Sequence, residues 1–190
     1  DQGIIGEPTD LEICPANKGQ LGTIIRTFGQ SVHSSVPEKG INAIIHMAKV
    51  IDAFSDYNDE LLKADPHPLC GHGRFSPGVI KGGAIVSTVP DLSELEVDRR
   101  VLPGETIEKV FYEYRVRLDR FINTLPQFKS EITDPTWDIP ANDVSLDEPI
   151  VESLLQAYST VMGKPTSVRA FVAGTDAPNM GFPIVICGPG

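Results

Sequence analysis

Three stretches of the chain space their apolar residues as amphipathic helices do. Over residues 41–54 and 106–125, apolar side chains recur every three or four positions and polar ones occupy the opposite side. The second stretch is long enough for about five turns, and Thr106 is a residue type that caps helices. A third apolar run, 148–162, stops at Gly163, as helices commonly do. We therefore predict three helices.

Elsewhere the period changes to two, which is typical of strands. Residues 94–102 alternate cleanly, with Leu95, Val97 and Val101 on one face and charged side chains on the other. This pattern predicts a strand with one buried face. Strands are also predicted at 19–33, 75–81, 84–89 and 128–133, a tight turn at Gly82–Gly83, and a proline- and glycine-containing loop over 58–74.

The order of these elements predicts the fold class. From residue 19 to residue 134 they run strand, helix, strand, strand, helix, strand. This is the βαββαβ, or ferredoxin-like, arrangement, in which one antiparallel sheet carries two helices on one face. The later runs at 168–173 and 184–187 have the composition of short buried strands in a parallel sheet. We predict an α/β chain with a ferredoxin-like domain at residues 17–135, inserted between catalytic α/β segments at 1–16 and 136–190.

Composition narrows the range of partners. The formal net charge is −10 and the sequence pI is about 4.8, which argues against nucleic acid and anionic membranes as partners. No apolar run reaches the roughly 20 residues of a membrane span. The cysteines, Cys14, Cys70 and Cys187, are odd in number and widely spaced. They predict free thiols and a reducing compartment, the cytoplasm.

Glu7 is the first candidate for chemistry. It follows the apolar run Gly3–Ile5 and precedes Pro8, which stops regular structure. A carboxylate at a strand end is where an α/β enzyme places a ligand or a base. One carboxylate does not hold a catalytic zinc ion, which needs three protein ligands. Glu7 therefore predicts a site whose other parts lie elsewhere.

Two further candidates lie in the central domain. His33 stands on a loop after the first strand of that domain, from which it could reach across a cleft. Arg100 lies on the charged face of its strand beside Asp98, and an arginine there can bind a substrate carboxylate bidentately. The alternative for Arg100 is a solvated ion pair of little energetic value. Arg99 points to the other face and is the weaker candidate.

The remaining candidates lie on loops. Thr175 and Asp176 follow a predicted buried strand, where open α/β sheets bind ligands, although a simple turn would explain them equally well. His67, Cys70 and His72 share a loop but have no fourth partner at a recognised zinc spacing. We assign those three a structural or incidental role.

An ordered set of short motifs extends over the whole chain. The motifs are Gly6-Glu7-Pro8-Thr9, Lys18-Gly19, the 29–37 segment around His33, Gly40 to Ile44, Gly82–Gly83, Val89-Pro90, Asp98-Arg99-Arg100, Pro103-Gly104-Glu105, Gly174 to Ala177 and Gly188-Pro189-Gly190. Together they resemble the zinc-dependent aminoacylase and carboxypeptidase family, especially its acetylornithine deacetylase and succinyl-diaminopimelate desuccinylase branches.

The resemblance implies a subunit with a catalytic domain that holds two zinc ions and an inserted lid domain that forms a homodimer. By position, Glu7 matches a zinc ligand. His33 matches the lid histidine that stabilises the oxyanion, in dimeric members at the active site of the partner subunit. Arg100, Thr175 and Asp176 match positions that contact the substrate, a small N-acyl amino acid. The implied reaction is hydrolysis of its amide bond.

The chain also departs from the family pattern. The His-x-Asp and Glu-Glu motifs that the family places before Glu7 are absent, and so is a final zinc-binding histidine after Gly190. Ser87 replaces an asparagine that many members carry. We therefore expect a fragment that neither binds two zinc ions tightly nor hydrolyses amides alone. The alternatives are a dipeptidase or aminoacylase of the same fold, or a non-catalytic dimerisation module.

Overall fold

The computed structural model describes residues 1–125 and 127–190 and arranges them in two sheets. The strands are β1 (Gly3–Ile5), β2 (Ile13–Asn17), β3 (Gly19–Phe28), β4 (Arg74–Gly82), β5 (Leu92–Val101), β6 (Lys129–Ile132), β7 (Trp137–Ile139), β8 (Asn142–Asp143), β9 (Val168–Phe171) and β10 (Ile184–Ile186). The α-helices are α1 (Ala43–Ala53), α2 (Tyr57–Lys63), α3 (Ile107–Asp119) and α4 (Pro149–Met162).

The larger sheet, here called the lid sheet, has the strand order β4-β5-β3-β6, with β7 also paired to β3. All of its pairs are antiparallel. Helices α1 and α3 contribute Met47, Val50, Val110 and Tyr114 to the same buried cluster as the inward residues of β3 and β5. The predicted ferredoxin-like arrangement is confirmed.

Capping explains where helices α1 and α3 begin. The Asn42 side chain accepts hydrogen bonds from the backbone N–H groups of Ile44 and Ile45, at 3.0 and 3.1 Å. Thr106 accepts from the Lys109 N–H at 3.3 Å, as its residue type predicted. Helix α3 ends at Asp119, shorter than predicted. The apolar spacing continued to residue 125 because that segment packs on the core as turns.

Two other segments differ from the prediction. The predicted loop over 58–74 includes most of helix α2, whose Tyr57 is buried among the aromatic rings of the lid core. The prolines that suggested a loop come after that helix. Residues 84–89 do not form a strand; they contribute one isolated bridge, from Thr88 to His33. The chain turns away at Gly83, whose φ is +72°.

The smaller sheet, here called the flanking sheet, contains β1, β2, β8, β9 and β10. β1 and β10 run parallel, with Gly3 opposite Ile184. β10 is antiparallel to β2, and β9 is parallel to β2. β9 and β10 therefore run in opposite directions, unlike the expected parallel pair. The segment between them holds only the short 3₁₀ helix Ala177–Met180, not the crossover helix that parallel neighbours usually need.

Strands β2 and β3 follow one another across Lys18, so the chain passes directly from the flanking sheet into the lid sheet. It returns through β7 and β8. β7 pairs with β3 although it lies beyond the predicted lid boundary at residue 135. We retain the division at 1–16, 17–135 and 136–190 as a proposal.

Candidate functional site

Glu7 lies at the carboxyl edge of the two parallel strands of the flanking sheet. It follows β1, while Gly188 follows β10 on the neighbouring strand. A side chain at Gly188 would collide with the Glu7 backbone oxygen, so this crossing needs glycine. The Glu7 carboxylate makes no hydrogen bond or ion pair with the described residues and is half-buried. It is available to bind a ligand.

Thr9 holds the turn that carries Glu7. Its buried hydroxyl donates to the backbone oxygens of Glu12 and Gly188, at 2.9 and 3.2 Å, and accepts from the Gly188 N–H at 3.0 Å. The first loop is thereby tied to the loop after β10. We did not single out Thr9 from the sequence, although it belongs to the Gly-Glu-Pro-Thr motif.

His33 lies at the far end of the lid sheet. Its loop is fixed there by a backbone bridge from His33 to Thr88 and by a 2.8 Å bond from the Ser34 N–H to the Ser87 oxygen. The Nδ1 atom of His33 accepts from the Ser35 N–H at 3.1 Å. In the neutral ring the proton is therefore on Nε2. The ring is exposed, so this N–H donor faces outward.

An open cleft of about 530 Å³ adjoins the His33 loop. Its walls include Ser34 and Thr88, and the apolar tip formed by Ile85 and Val86. Val86 is 98% exposed. The hydrogen bond from Ser34 to Ser87 ties this tip to the His33 loop.

Arg100 lies at the other end of the lid sheet, next to the flanking sheet. It is opposite Gln20, near the start of β3. Its Nε and Nη2 donate to the two oxygens of Asp98 at 2.9 and 3.3 Å, and Gln20 also donates to Asp98. The Nη1 group makes no hydrogen bond with the described residues. Asp98 thus orients a guanidinium that retains donors for an anion.

Arg99, on the opposite face of β5, is fully buried. Its Nη2 donates to Glu105 at 2.7 Å, and its side chain lies near the Tyr57 ring. Glu105 also accepts from the Leu102 N–H at 2.8 Å. The position of Arg99 supports the weaker ranking given to it, because solvent does not reach it.

Thr175 and Asp176 lie where β2 leads into the lid, at the edge opposite Glu7. The buried Thr175 hydroxyl is 3.4 Å from the Asn17 Oδ1 and accepts from the Ala177 N–H at 3.2 Å. Asp176 is exposed and its side chain caps nothing. Asn17, which we had not singled out, is fully buried and also donates to Ala173.

The structure therefore brings together some predicted site residues and separates others. Arg100 and Thr175 lie toward the junction of the two sheets, and Glu7 lies across the flanking sheet from them. His33 is beyond the far end of the ten-residue strand β3, roughly 30 Å from the junction at about 3.3 Å per residue. Within one chain, His33 and Glu7 do not share a site.

Metal-binding capacity is correspondingly small. Over residues 1–125 and 127–190, no three His, Cys, Asp or Glu side chains cluster closely enough to hold a metal ion. Glu7 alone does not make a zinc site. All three cysteines are free thiols. Burial raises the pKa of Cys14 and of Cys70 to about 11, so both stay protonated near neutral pH. None of the helices in the described part is long and apolar enough to cross a membrane.

Comparison with known proteins places this geometry in a family. The chain is 30% identical over 194 aligned residues to the acetylornithine deacetylase of Aliivibrio salmonicida, covering 100% of this chain and 50% of that protein. It is 41% identical over 110 residues to the acetylornithine deacetylase of Proteus mirabilis, covering 57% and 28% of the two chains. The chain thus spans half or less of the length of these curated relatives.

Solved structures share the fold across almost the whole chain. A tripeptidase from Staphylococcus aureus superposes with a TM-score of 0.71 at 21% identity, covering 98% of this chain and 48% of its own. An M20 family metallo-carboxypeptidase from Sulfolobus solfataricus gives 0.70 at 18%, covering 97% and 55%. Residues 15–124, more than half of the chain, match the model of the peptidase dimerisation domain. The chain belongs to the peptidase dimerisation domain family.

Proposed function

We propose that this chain is the lid and part of the catalytic domain of a metal-dependent hydrolase that cleaves the amide bond of an N-acyl amino acid. Two relatives named acetylornithine deacetylase support this reaction class. One fold neighbour is named a metallo-carboxypeptidase, which supports metal dependence. The three free thiols favour a reducing compartment such as the cytoplasm.

The observation that carries the proposal is the position of His33. It is held by a backbone bridge, exposed, and at the end of the lid sheet remote from Glu7. Among the described residues, the other candidate site residues Glu7 and Arg100 lie away from it. In a homodimer formed through the lid, it would reach the Glu7 edge of the second copy.

The ring geometry suits a donor role. Ser35 occupies Nδ1, so the Nε2–H of the neutral ring points outward. A fixed N–H donor stabilises negative charge that develops on a carbonyl oxygen during amide hydrolysis. His33 would therefore supply an oxyanion donor to the partner subunit's site.

The edge of the lid sheet offers a surface for the second copy. β4 is an edge strand that is exposed over nearly its whole length. Val79 and Ile80 on it are exposed, and exposed Ile44 of α1 lies against Gly82 at its end. An unpaired strand edge with apolar neighbours is suited to pair with a copy of itself.

The other proposed roles concern binding. Arg100, already oriented by Asp98, would bind the carboxylate of the amino-acid substrate. Thr175 and Asp176 would contact the substrate through their loop, and Glu7 would supply one carboxylate to the metal site. The described residues do not complete a two-zinc site. We therefore propose that these 190 residues alone neither hold two zinc ions tightly nor hydrolyse the amide substrate.

A hybrid enzyme tests this function. In it, residues 1–190 replace the half of the Aliivibrio salmonicida acetylornithine deacetylase that they match. We expect the folded, dimeric hybrid to hydrolyse acetylornithine, and the isolated chain to be inactive with substoichiometric zinc. A folded hybrid without activity on any N-acyl amino acid would contradict the hydrolase proposal. Turnover by the isolated chain with stoichiometric zinc would contradict the fragment proposal.

A peptidase of the same fold is the first alternative, because one fold neighbour is named a tripeptidase. Assaying the hybrid on acetylornithine, succinyl-diaminopimelate and dipeptides separates the two. Preference for dipeptides would favour the alternative.

A non-catalytic dimerisation module is the second alternative. It is favoured by the lone Glu7 and by the absence of a metal-ligand cluster in the described part of the chain. A chain that dimerises while its hybrid stays inactive on every substrate would support it.

A further inference from the structure

The loop that leads into β4 is closed on itself. His67 and Gly71 exchange backbone hydrogen bonds, each of 2.9 Å, and Gly71 takes the left-handed φ of +67° that this turn needs. The His67 Nδ1 accepts from the N–H groups of Leu69 and Cys70 at 3.2 and 3.1 Å. We call residues 64–73 the latch loop. Its internal bonds fix the direction of the imidazole ring.

The fixed ring aims its other nitrogen at the flanking sheet. Because Nδ1 accepts two N–H groups, the proton of the neutral ring is on Nε2. Nε2 lies 3.3 Å from the Asp143 Oδ2, and Asp143 belongs to β8, which pairs with Ala16 of β2. The His67 side chain is only 14% exposed. A largely desolvated N–H donor thus faces a carboxylate of the other sheet.

A second tie reaches the same loop. The Lys18 Nζ donates to the His72 backbone oxygen at 2.7 Å. Lys18 stands between β2 and β3, at the point where the chain enters the lid sheet. Burial, together with the nearby Arg74 charge, lowers its pKa. The latch loop therefore contacts both the entry point and the flanking sheet.

The covalent connections between the sheets would by themselves form a hinge. The chain enters the lid sheet at Gly19 and leaves it beside the same residue, since a Cβ there would meet the backbone of residues 139–141. Because these two crossings are adjacent, the covalent chain alone would still allow the two sheets to rotate about the line through them. Within residues 1–125 and 127–190, His67–Asp143 is the one contact between a basic and an acidic side chain that joins the lid sheet and its loops to the flanking sheet.

We propose that His67 and Asp143 are positioning residues that lock the hinge and hold the lid sheet at one angle to the flanking sheet. The reason is geometric: the contact joins the latch loop of the lid sheet to β8 at residues other than the two crossings, so it restrains rotation about them. The lock is a property of this chain and does not depend on the proposed hydrolase function. Without the lock, the two sheets would reorient about residues 17–19 and 139–141.

The test compares variants of Asp143 in the 190-residue chain. Asp143→Ala removes the acceptor without touching the internal bonds of the latch loop, and Asp143→Asn keeps an acceptor oxygen. Asp147→Ala, at an exposed carboxylate in the following turn, is the matched control. Asp143→Ser, too short to reach the ring, repeats the test if the alanine variant does not fold.

Two NMR readouts decide the outcome. Residual dipolar couplings of the two sheets should fit one alignment tensor in the unmutated chain, Asp143→Asn and Asp147→Ala, and two tensors in Asp143→Ala. Amide exchange at Cys70 and Gly71 should accelerate about tenfold in Asp143→Ala alone, because His67, which accepts from both amides, loses the contact with a charged group that holds its ring. A single tensor in Asp143→Ala would overturn the proposal, even if loop exchange accelerates, because the contact would then stabilise only the loop.

Discussion

The lid sheet and the flanking sheet differ in the size of their hydrophobic cores. Fourteen buried side chains form one cluster under the lid sheet. The flanking sheet has two clusters of four each. The lid sheet thus has the larger continuous core, whereas Glu7 belongs to the part with less core.

The largest expected effect is on the lid. Arg117 of α3 is buried, donates to Glu60 and Asp56, and stacks 4.3 Å from the Tyr57 ring centroid. Arg117→Ala removes a buried side chain that packs on the Tyr57 ring and leaves a cavity there, so the free energy of unfolding should fall by about 3 kcal/mol. Chemical denaturation followed by circular dichroism measures it. Arg115 is exposed on the same helix and provides the control. Arg115→Ala should change the free energy of unfolding by less than about 0.5 kcal/mol. Equal effects of the two substitutions would show that the stability of the lid does not depend on the buried Arg117.

The next effect concerns the proposed dimer edge. Ile80→Asp places a charge on exposed β4 and should weaken self-association at least about a hundredfold, because desolvating a charge at an interface is costly. Leu62→Asp on α2, also an exposed apolar position, is the control. Sedimentation velocity gives both dissociation constants. A dimer unaffected by Ile80→Asp would exclude this edge.

Substituting one buried valine in each core compares the stability of the two regions directly. Val50 in the lid and Val185 in the flanking sheet are both fully buried. Each change to alanine should remove about 1–2 kcal/mol of stability. We expect Val50→Ala to shift the main unfolding transition and Val185→Ala to shift an earlier one. A single transition shifted equally by both would mean that the two sheets unfold as one unit.

The smallest effect is on the pH dependence of folding stability, to which one buried thiol in each region contributes. Burial raises the pKa of Cys14 and Cys70 from 9.0 to about 11. Between those pH values the unfolded thiols lose protons that the folded ones keep, so stability falls as pH rises. Cys14→Ala and Cys70→Ala should each reduce this loss of unfolding free energy between pH 9 and 11, as measured by denaturation titrations at several pH values. Cys187→Ala, at the more accessible thiol, is the control and should change the fall least.

The lid was predictable because its signals are local. Alternation in β5 and the apolar stripe of α1 reflect which faces are buried, and those faces are set within the lid itself. The prediction failed at α2 because prolines beyond its end dominated the pattern, and at 84–89 because apolar residues there serve an exposed tip. Such exposure depends on what the tip contacts, which a single chain's pattern does not encode.

The candidate site was predictable by residue type but not by arrangement. Glu7 and His33 stand out by motif, yet their separation follows from the direction and length of β3. Thr175 and Glu7 occupy opposite edges because β9 and β10 run in opposite directions, which the apolar composition of the two strands does not encode. Asn17 carried no sequence signal, since its importance lies in contacts with residues more than 150 positions away.

The central claim is that His33 of one copy serves the Glu7 site of the other. The direct test mixes two inactive hybrid enzymes, one with His33→Ala and one with Glu7→Gln, after unfolding and refolding them together. Random pairing places one intact site in each mixed dimer, so the mixture should recover about a quarter of the unmutated hybrid's activity. A mixture that forms mixed dimers but remains as inactive as either parent would contradict the claim.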